Sequence, residues 1–239
     1  MNSPSNASTG APGWFGKLPA LGDFVTRRLP QSFVRPWDAW ITPGVEAVQR
    51  VHGEFGREAL LTFPIWRFVV PPHVVDSSAW FGLFAPSVDR VGRCFPLTVA
   101  QSIAAESYGS ADLTEAARTL EHWISALTAV LDDDDVVAFD AALAAAPPLT
   151  ISSTPFALDA LVGIRESARA FVDDLAEVGS RELKVALSSR ILWWTDPAGG
   201  TPGLAFASEC VASTDLFNRL FGLPDTSTQQ PLLLGALSA

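Results

Sequence analysis

The chain has 239 residues, 48% of them hydrophobic and 10% aromatic, which is enough to fill a substantial core, and its formal net charge is −10. No stretch approaches the ~20 uninterrupted apolar residues of a membrane-spanning helix, so membrane insertion is not expected. An acidic whole also argues against nucleic acid, because phosphate contacts need clustered cations that release counterions.

Residues 1–12, MNSPSNASTGAP, are polar and lack the positive flank and apolar run of a signal peptide. They read as a disordered leader on a protein that stays in the cytoplasm. Next comes GWFGKLPALGDFV (13–25), with three glycines, a lysine and an aspartate among bulky aromatics. A phosphate-binding GxxxxGK[ST] loop needs successive N–H groups converging with the lysine. Here Lys17 follows the wrong glycine, Gly16, and Pro19 removes a donor where a cradle would need one. The segment reads as a short strand, a turn over Pro19–Gly22, and an Asp23 that bonds the loop backbone.

FVRPWDAWITPGVEAVQRVHGEF (33–55) reads as a helical region bent near Pro43, with Trp37 and Trp40 three apart on one face. PIWRFVV (64–70), AWFGLFA (79–85) and FPLTVAQSI (95–103) are β-rich and bounded by Pro, Gly, Ser or Asp, as successive strands would be. Between the last two lies PSVDRVGRCFPL (86–97), which admits two readings. In one, Asp89 caps a turn, Gly92 permits the bend, and an arginine pairs with a carboxylate such as Asp23 or Asp38. In the other, Asp89, Arg90 and Arg93 form a charged site, since guanidinium groups take carboxylate or phosphate in bidentate fashion.

ADLTEAARTLEHWISALTAVL (111–131) sets Leu113, Ala117, Leu120, Ile124, Leu127 and Leu131 on one helical stripe, with Asp112 and Glu115 in capping-box positions. Residues 134–146 and about 156–178 continue as helices. RILWWTD (190–196) and GLAFAS (203–208) return to strand character, and STDLFNRLFG (213–222) has a capping start and a glycine stop. There is no internal repeat and no linker that forces a division. One α/β domain over 13–223 is expected, with a largely antiparallel sheet flanked by helices and a tail over 224–239.

Candidate chemistry is thin. Cys94 and Cys210 carry no CxxC and have no histidine at ligand spacing, so neither a disulfide framework nor a zinc site is supported. His52, His73 and His122 are scattered, and no GxSxG elbow supports a hydrolase triad. Asp132–Asp135 are adjacent residues between two predicted helices, whereas a metal needs carboxylates converging from several elements. At a helix start they would complement its positive end. No cofactor, metal or catalytic residue is expected.

GKLPALGDF (16–24), SFVRPWDAW (32–40), PIWRF (64–68) and PSVDRVGRCFPL (86–97) together resemble the signature of the TagF/ImpM proteins of bacterial type VI secretion, some of which are fused to a metal-dependent phosphatase domain. The resemblance covers the front half. It implies a three-layer α/β fold, a cytoplasmic post-translational repressor of the secretion apparatus, and a forkhead-associated scaffold protein as partner. A structural or chaperone-like adaptor of the same apparatus is the second reading, and a hydrolase the third. Gly16, Pro19, Gly22, Asp23, Trp37, Trp40, Trp66, Asp89, Gly92, Phe95 and Pro96 are read as structural, with the large aromatics in the core. Residues 1–100 carry 9 Lys+Arg against 7 Asp+Glu, while the remainder carries 7 against 19. The partner contact is therefore expected on Lys17, Arg27, Arg28, Arg90 and Arg93, if the fold joins the loops at 19–28 and 86–94.

Overall fold

The computed structural model describes residues 10–103, 113–133, 135–147, 190–195, 204–208 and 214–223. In chain order the elements are β1 (Gly13–Gly16), β2 (Val25–Arg27), α1 (Gln31–Thr62), β3 (Trp66–Val70), β4 (Ala79–Ala85), β5 (Leu97–Ile103), α2 (Leu113–Asp133), α3 (Val136–Ala144), β6 (Ile191–Trp194), β7 (Ala205–Ser208) and α4 (Thr214–Leu220). The strands form one seven-stranded sheet in the order β2-β1-β5-β4-β3-β6-β7, antiparallel at every described pairing.

Side chains alternate across a strand, and both faces of this sheet are apolar. On β4, Ala79, Phe81, Leu83 and Ala85 enter one core, where α2 and α3 supply Leu120, Trp123, Leu127, Phe139 and Leu143. Trp80 and Phe84 enter the other, with Phe33, Trp37, Trp40 and Ile41 of α1 and Leu216 and Phe217 of α4. On β6, Ile191 and Trp193 face the second core while Leu192 and Trp194 face the first. Two cores on opposite faces of one sheet make a three-layer α/β sandwich, the architecture expected from the sequence.

The helical region expected to end near residue 55 and bend near Pro43 instead runs to Thr62, and its break lies at Gly53 (φ 55°, ψ −123°). Proline's φ suits a helix and its ring costs one hydrogen bond, so Pro36 and Pro43 are carried within α1. A positive φ cannot be helical, and glycine adopts it without a side-chain clash. The predicted helix at 156–178, the capping residue Asp112, the tail at 224–239 and most of the leader lie outside the described residues. Residues 10–12 of that leader are anchored: the Gly10 carbonyl accepts from Gln101 Nε2 at 2.7 Å, and the Pro12 carbonyl from Arg28 Nε at 2.8 Å.

The proposed core aromatics are buried. Trp37 donates from Nε1 to Thr98 Oγ1 at 2.8 Å, tying α1 to β5. Trp66 donates to the Leu220 carbonyl at 2.8 Å, tying β3 to the end of α4. Trp40 lies with its ring centroid 4.9 Å from that of Trp37 and 4.5 Å from that of Phe217. No helix of the described residues is long and apolar enough to cross a membrane.

Candidate functional site

The chain leaves β1 at Gly16, whose φ of 140° and close approach to the Pro96 carbonyl, 2.5 Å from where a Cβ would stand, restrict the position to glycine. Lys17 follows, and a turn closes from Leu21 N to the Leu18 carbonyl at 2.9 Å. Asp23 Oδ1 then accepts from Phe24 N at 2.8 Å. Across the sheet end, the link between β4 and β5 makes a hairpin. Gly92 N donates to the Asp89 carbonyl at 2.8 Å, Asp89 N to the Arg93 carbonyl at 3.1 Å, and Gly92 takes φ 78°.

These two loops are joined. Ser87 Oγ donates to the Lys17 carbonyl at 2.7 Å, Arg90 N to the Leu21 carbonyl at 2.9 Å, and Arg93 Nη2 to the Gly22 carbonyl at 2.9 Å. Asp89 is the centre. Its fully buried carboxylate takes Lys17 Nζ at 3.1 Å and Arg93 Nε at 2.6 Å on Oδ2, and Val91 N at 3.1 Å and Arg93 N at 2.9 Å on Oδ1. Burial pushes its pKa up, but the hydrogen bonds from Arg93, Lys17 and Val91 overrule burial and hold the carboxyl well below the usual carboxylate range.

A second carboxylate gathers the other cations. Asp140 on α3 takes Arg28 Nη2 at 2.7 Å, Arg28 Nη1 at 2.9 Å, Arg27 Nε at 3.3 Å and Trp14 Nε1 at 3.0 Å. The Arg28 guanidinium lowers the Asp140 pKa against the opposing effect of burial, with Trp14 and Arg27 assisting. Arg28 itself has φ 60°, a left-handed conformation that directs its side chain to α3 and the Pro12 carbonyl.

The five expected contact cations therefore divide. Lys17 is 6% exposed and held by Asp89, while Arg27 and Arg28 are engaged by Asp140. Arg93 keeps one edge of an exposed guanidinium on Asp89. Arg90 is exposed and has no carboxylate at ion-pair distance among the described residues. The expected pairing of an arginine with Asp23 or Asp38 is corrected: Asp23 is turned onto its own loop backbone, and Asp38 accepts from Thr42 Oγ1 at 3.0 Å within α1. Asp140 was not singled out by the sequence, since nothing in its local spacing marks a residue of an alanine-rich helix as the acceptor for a motif far upstream. The same is true of Glu121 on α2, which takes the buried Arg67 of β3 at 2.7 Å.

Among the described residues no three His, Cys, Asp or Glu side chains are grouped to hold a metal ion. Asp135 is the N-cap of α3, accepting from Val137 N and Ala138 N at 2.9 Å each. Cys94 is a free, buried thiol whose pKa burial pushes up against the charges of Arg57 and Lys17.

Residues 13–146, more than half of the chain, match the type VI secretion system-associated TagF N-terminal domain. The chain belongs to the TagF family. It is also similar to the crystal structure of PA0076 from Pseudomonas aeruginosa PAO1, with 29% sequence identity and a TM-score of 0.67 over 92% of this chain and 99% of that one. No curated protein matches. All three clusters built on Asp89, Asp140 and Arg67 lie within the TagF N-terminal domain.

Proposed function

We propose that this type VI secretion-associated chain is a non-catalytic, cytoplasmic, post-translational repressor of the secretion apparatus, acting by binding a forkhead-associated scaffold protein of that apparatus. Membership of the TagF family, over residues 13–146, carries the reading. The charge arrangement supports binding over turnover, because Asp89 and Asp140, the two carboxylates at the motif loops, are occupied by structural donors. A repressor of this kind needs only a higher affinity for the idle state of its partner than for the assembling state. Driving the partner from 1:99 to 99:1 in favour of the idle state takes a preference of about 10⁴-fold.

Titration of the purified chain with the purified scaffold tests this directly. Saturable one-to-one binding is the expected result, and its absence in both salt-free and physiological buffer would remove the proposed partner. Hydrolysis of nucleotides or phosphoprotein is not expected with or without Mg²⁺ or Mn²⁺. Metal-dependent turnover lost on replacing Asp132–Asp135 with Asn would overturn the non-catalytic reading.

A further inference from the structure

Beside the joined loops lies a groove of about 460 Å³ between α1 and the sheet end. Its floor and wall are Phe15, Phe24, Phe95 and Val45, and its rim on α1 carries Asp38 and Glu46. Phe24 is 45% exposed although it stacks on Phe15 at 6.1 Å and meets Phe95 edge-on at 4.6 Å. A large aromatic packed on two other rings yet left in solvent is a preformed apolar contact. Three of the four sequence motifs meet here, contributing Phe24, Asp38 and Phe95. None of these three side chains belongs to the Asp89 or Asp140 cluster.

The rim is acidic and unneutralised. Neither Asp38 nor Glu46 forms an ion pair among the described residues. Lys17 Nζ lies 4.9 Å from the Phe24 centroid, but its charge is held by Asp89 at 3.1 Å. An apolar trough flanked by carboxylates without a paired cation complements an apolar side chain flanked by cations.

The spacing along α1 suits an extended segment. Asp38 and Glu46 stand eight residues apart on α1, a rise of about 12 Å along the helix axis. In an extended peptide, residues i, i+2 and i+4 point the same way and the outer two are about 13 Å apart.

We propose that this groove binds an extended, basic–x–apolar–x–basic segment of a protein partner, the apolar side chain entering between Phe24, Phe95 and Val45 and the two cations meeting Asp38 and Glu46. The inference rests on the binding reading above for the existence of a protein partner, and names the surface and chemistry by which it is held.

The test uses the full chain and a fluorescein-labelled peptide of pattern Arg-Ser-Leu-Ser-Arg, read by fluorescence polarisation at low salt. Saturable binding with Kd below about 1 mM is expected, weakened at least about fivefold both by replacing the peptide leucine with serine and by Asp38→Asn with Glu46→Gln, at unchanged melting temperature. The peptide substitution reads the groove without altering the protein. Failure to saturate, equal binding by the glutamate analogue of the peptide, or equal binding by the double variant overturns the proposal. Sedimentation as a dimer that the double variant dissociates, without peptide binding, would assign the groove to a second copy of the chain instead. If the peptide binds and the scaffold titration fails, the proposed scaffold partner falls and the groove stands; the reverse result overturns the groove alone.

Discussion

Lys17 Nζ stands 3.1 Å from Asp89 Oδ2, so that the loop leaving β1 is fastened to the hairpin between β4 and β5 by a pair whose side chains are 8% and 0% exposed. Each loop closes its own turn, but side chains and backbone groups of both must be held to join them. The carboxylate organises both, because it also accepts the backbone N–H groups of Val91 and Arg93 that shape the hairpin.

Asp89→Asn should therefore lower the melting temperature. The amide cannot accept from all four donors and leaves a buried ammonium without a counter-charge. Lys17→Met should cost less, because Arg93 still neutralises the carboxylate. Thermal melts of the two variants check the order, and an Asp89→Asn protein that melts with wild type would contradict the role assigned to this pair.

Both organising carboxylates have pKa values held below the ordinary range, with different causes at Asp89 and Asp140. A carboxylate depressed in the folded state contributes stability that is present above its unfolded pKa, about 3.9, and lost as pH falls through the folded value. The stability difference between wild type and Asp140→Asn should thus be constant near neutrality and shrink below about pH 4. Denaturant melts across pH 2–7 read it; a difference that grows on acidification would reverse the assigned sign.

Trp66 is 1% exposed, lies 5.2 Å centroid to centroid from Phe206 and donates to the Leu220 carbonyl. Trp66→Ala should destabilise by about 3–5 kcal/mol, the cost of a large core deletion. Urea unfolding measures it. A value under about 1 kcal/mol would show that the site collapses or that the side chain contributes little.

Strands β3, β4 and β5 were legible because compact β-rich runs such as AWFGLFA are bounded by Pro, Ser and Asp; the observed β4 is that run, Ala79–Ala85. The core positions of Trp37, Trp40 and Trp66 followed from size and periodicity. What escaped was long-range. Helical periodicity identifies α1 but does not rank Gly53 above Pro43 as its break, since proline's penalty inside a helix is local and α1 offsets it by burying Trp37, Trp40, Ile41 and Val45. Likewise, the sequence marked Arg27 and Arg28 as a basic pair on a loop, but the acceptor Asp140 is brought to them only when α3 packs beside β1 through Trp14 and Phe139, whose rings lie 5.7 Å apart.

The division among the five cations makes a further expectation. Arg28→Ala should lower the melting temperature, because it removes the bidentate partner of Asp140 and the bond to the Pro12 carbonyl. Arg90→Ala should leave the melt unchanged and, if the exposed guanidinium steers the scaffold, weaken association more at low salt than at physiological ionic strength, where the Debye length is about 8 Å. Paired melts and binding titrations separate the two effects. A destabilised Arg90→Ala protein would give that arginine a structural role instead.

The repressor reading is tested most directly by type VI secretion from the native cell after deletion of the gene, measured as secreted substrate in the medium and repeated with the wild-type gene restored. Repression predicts raised secretion on deletion and a return to the original level on restoration. Lost secretion on deletion would contradict it and assign the protein to assembly of the apparatus, and unchanged secretion under conditions where the apparatus is made would contradict it as well.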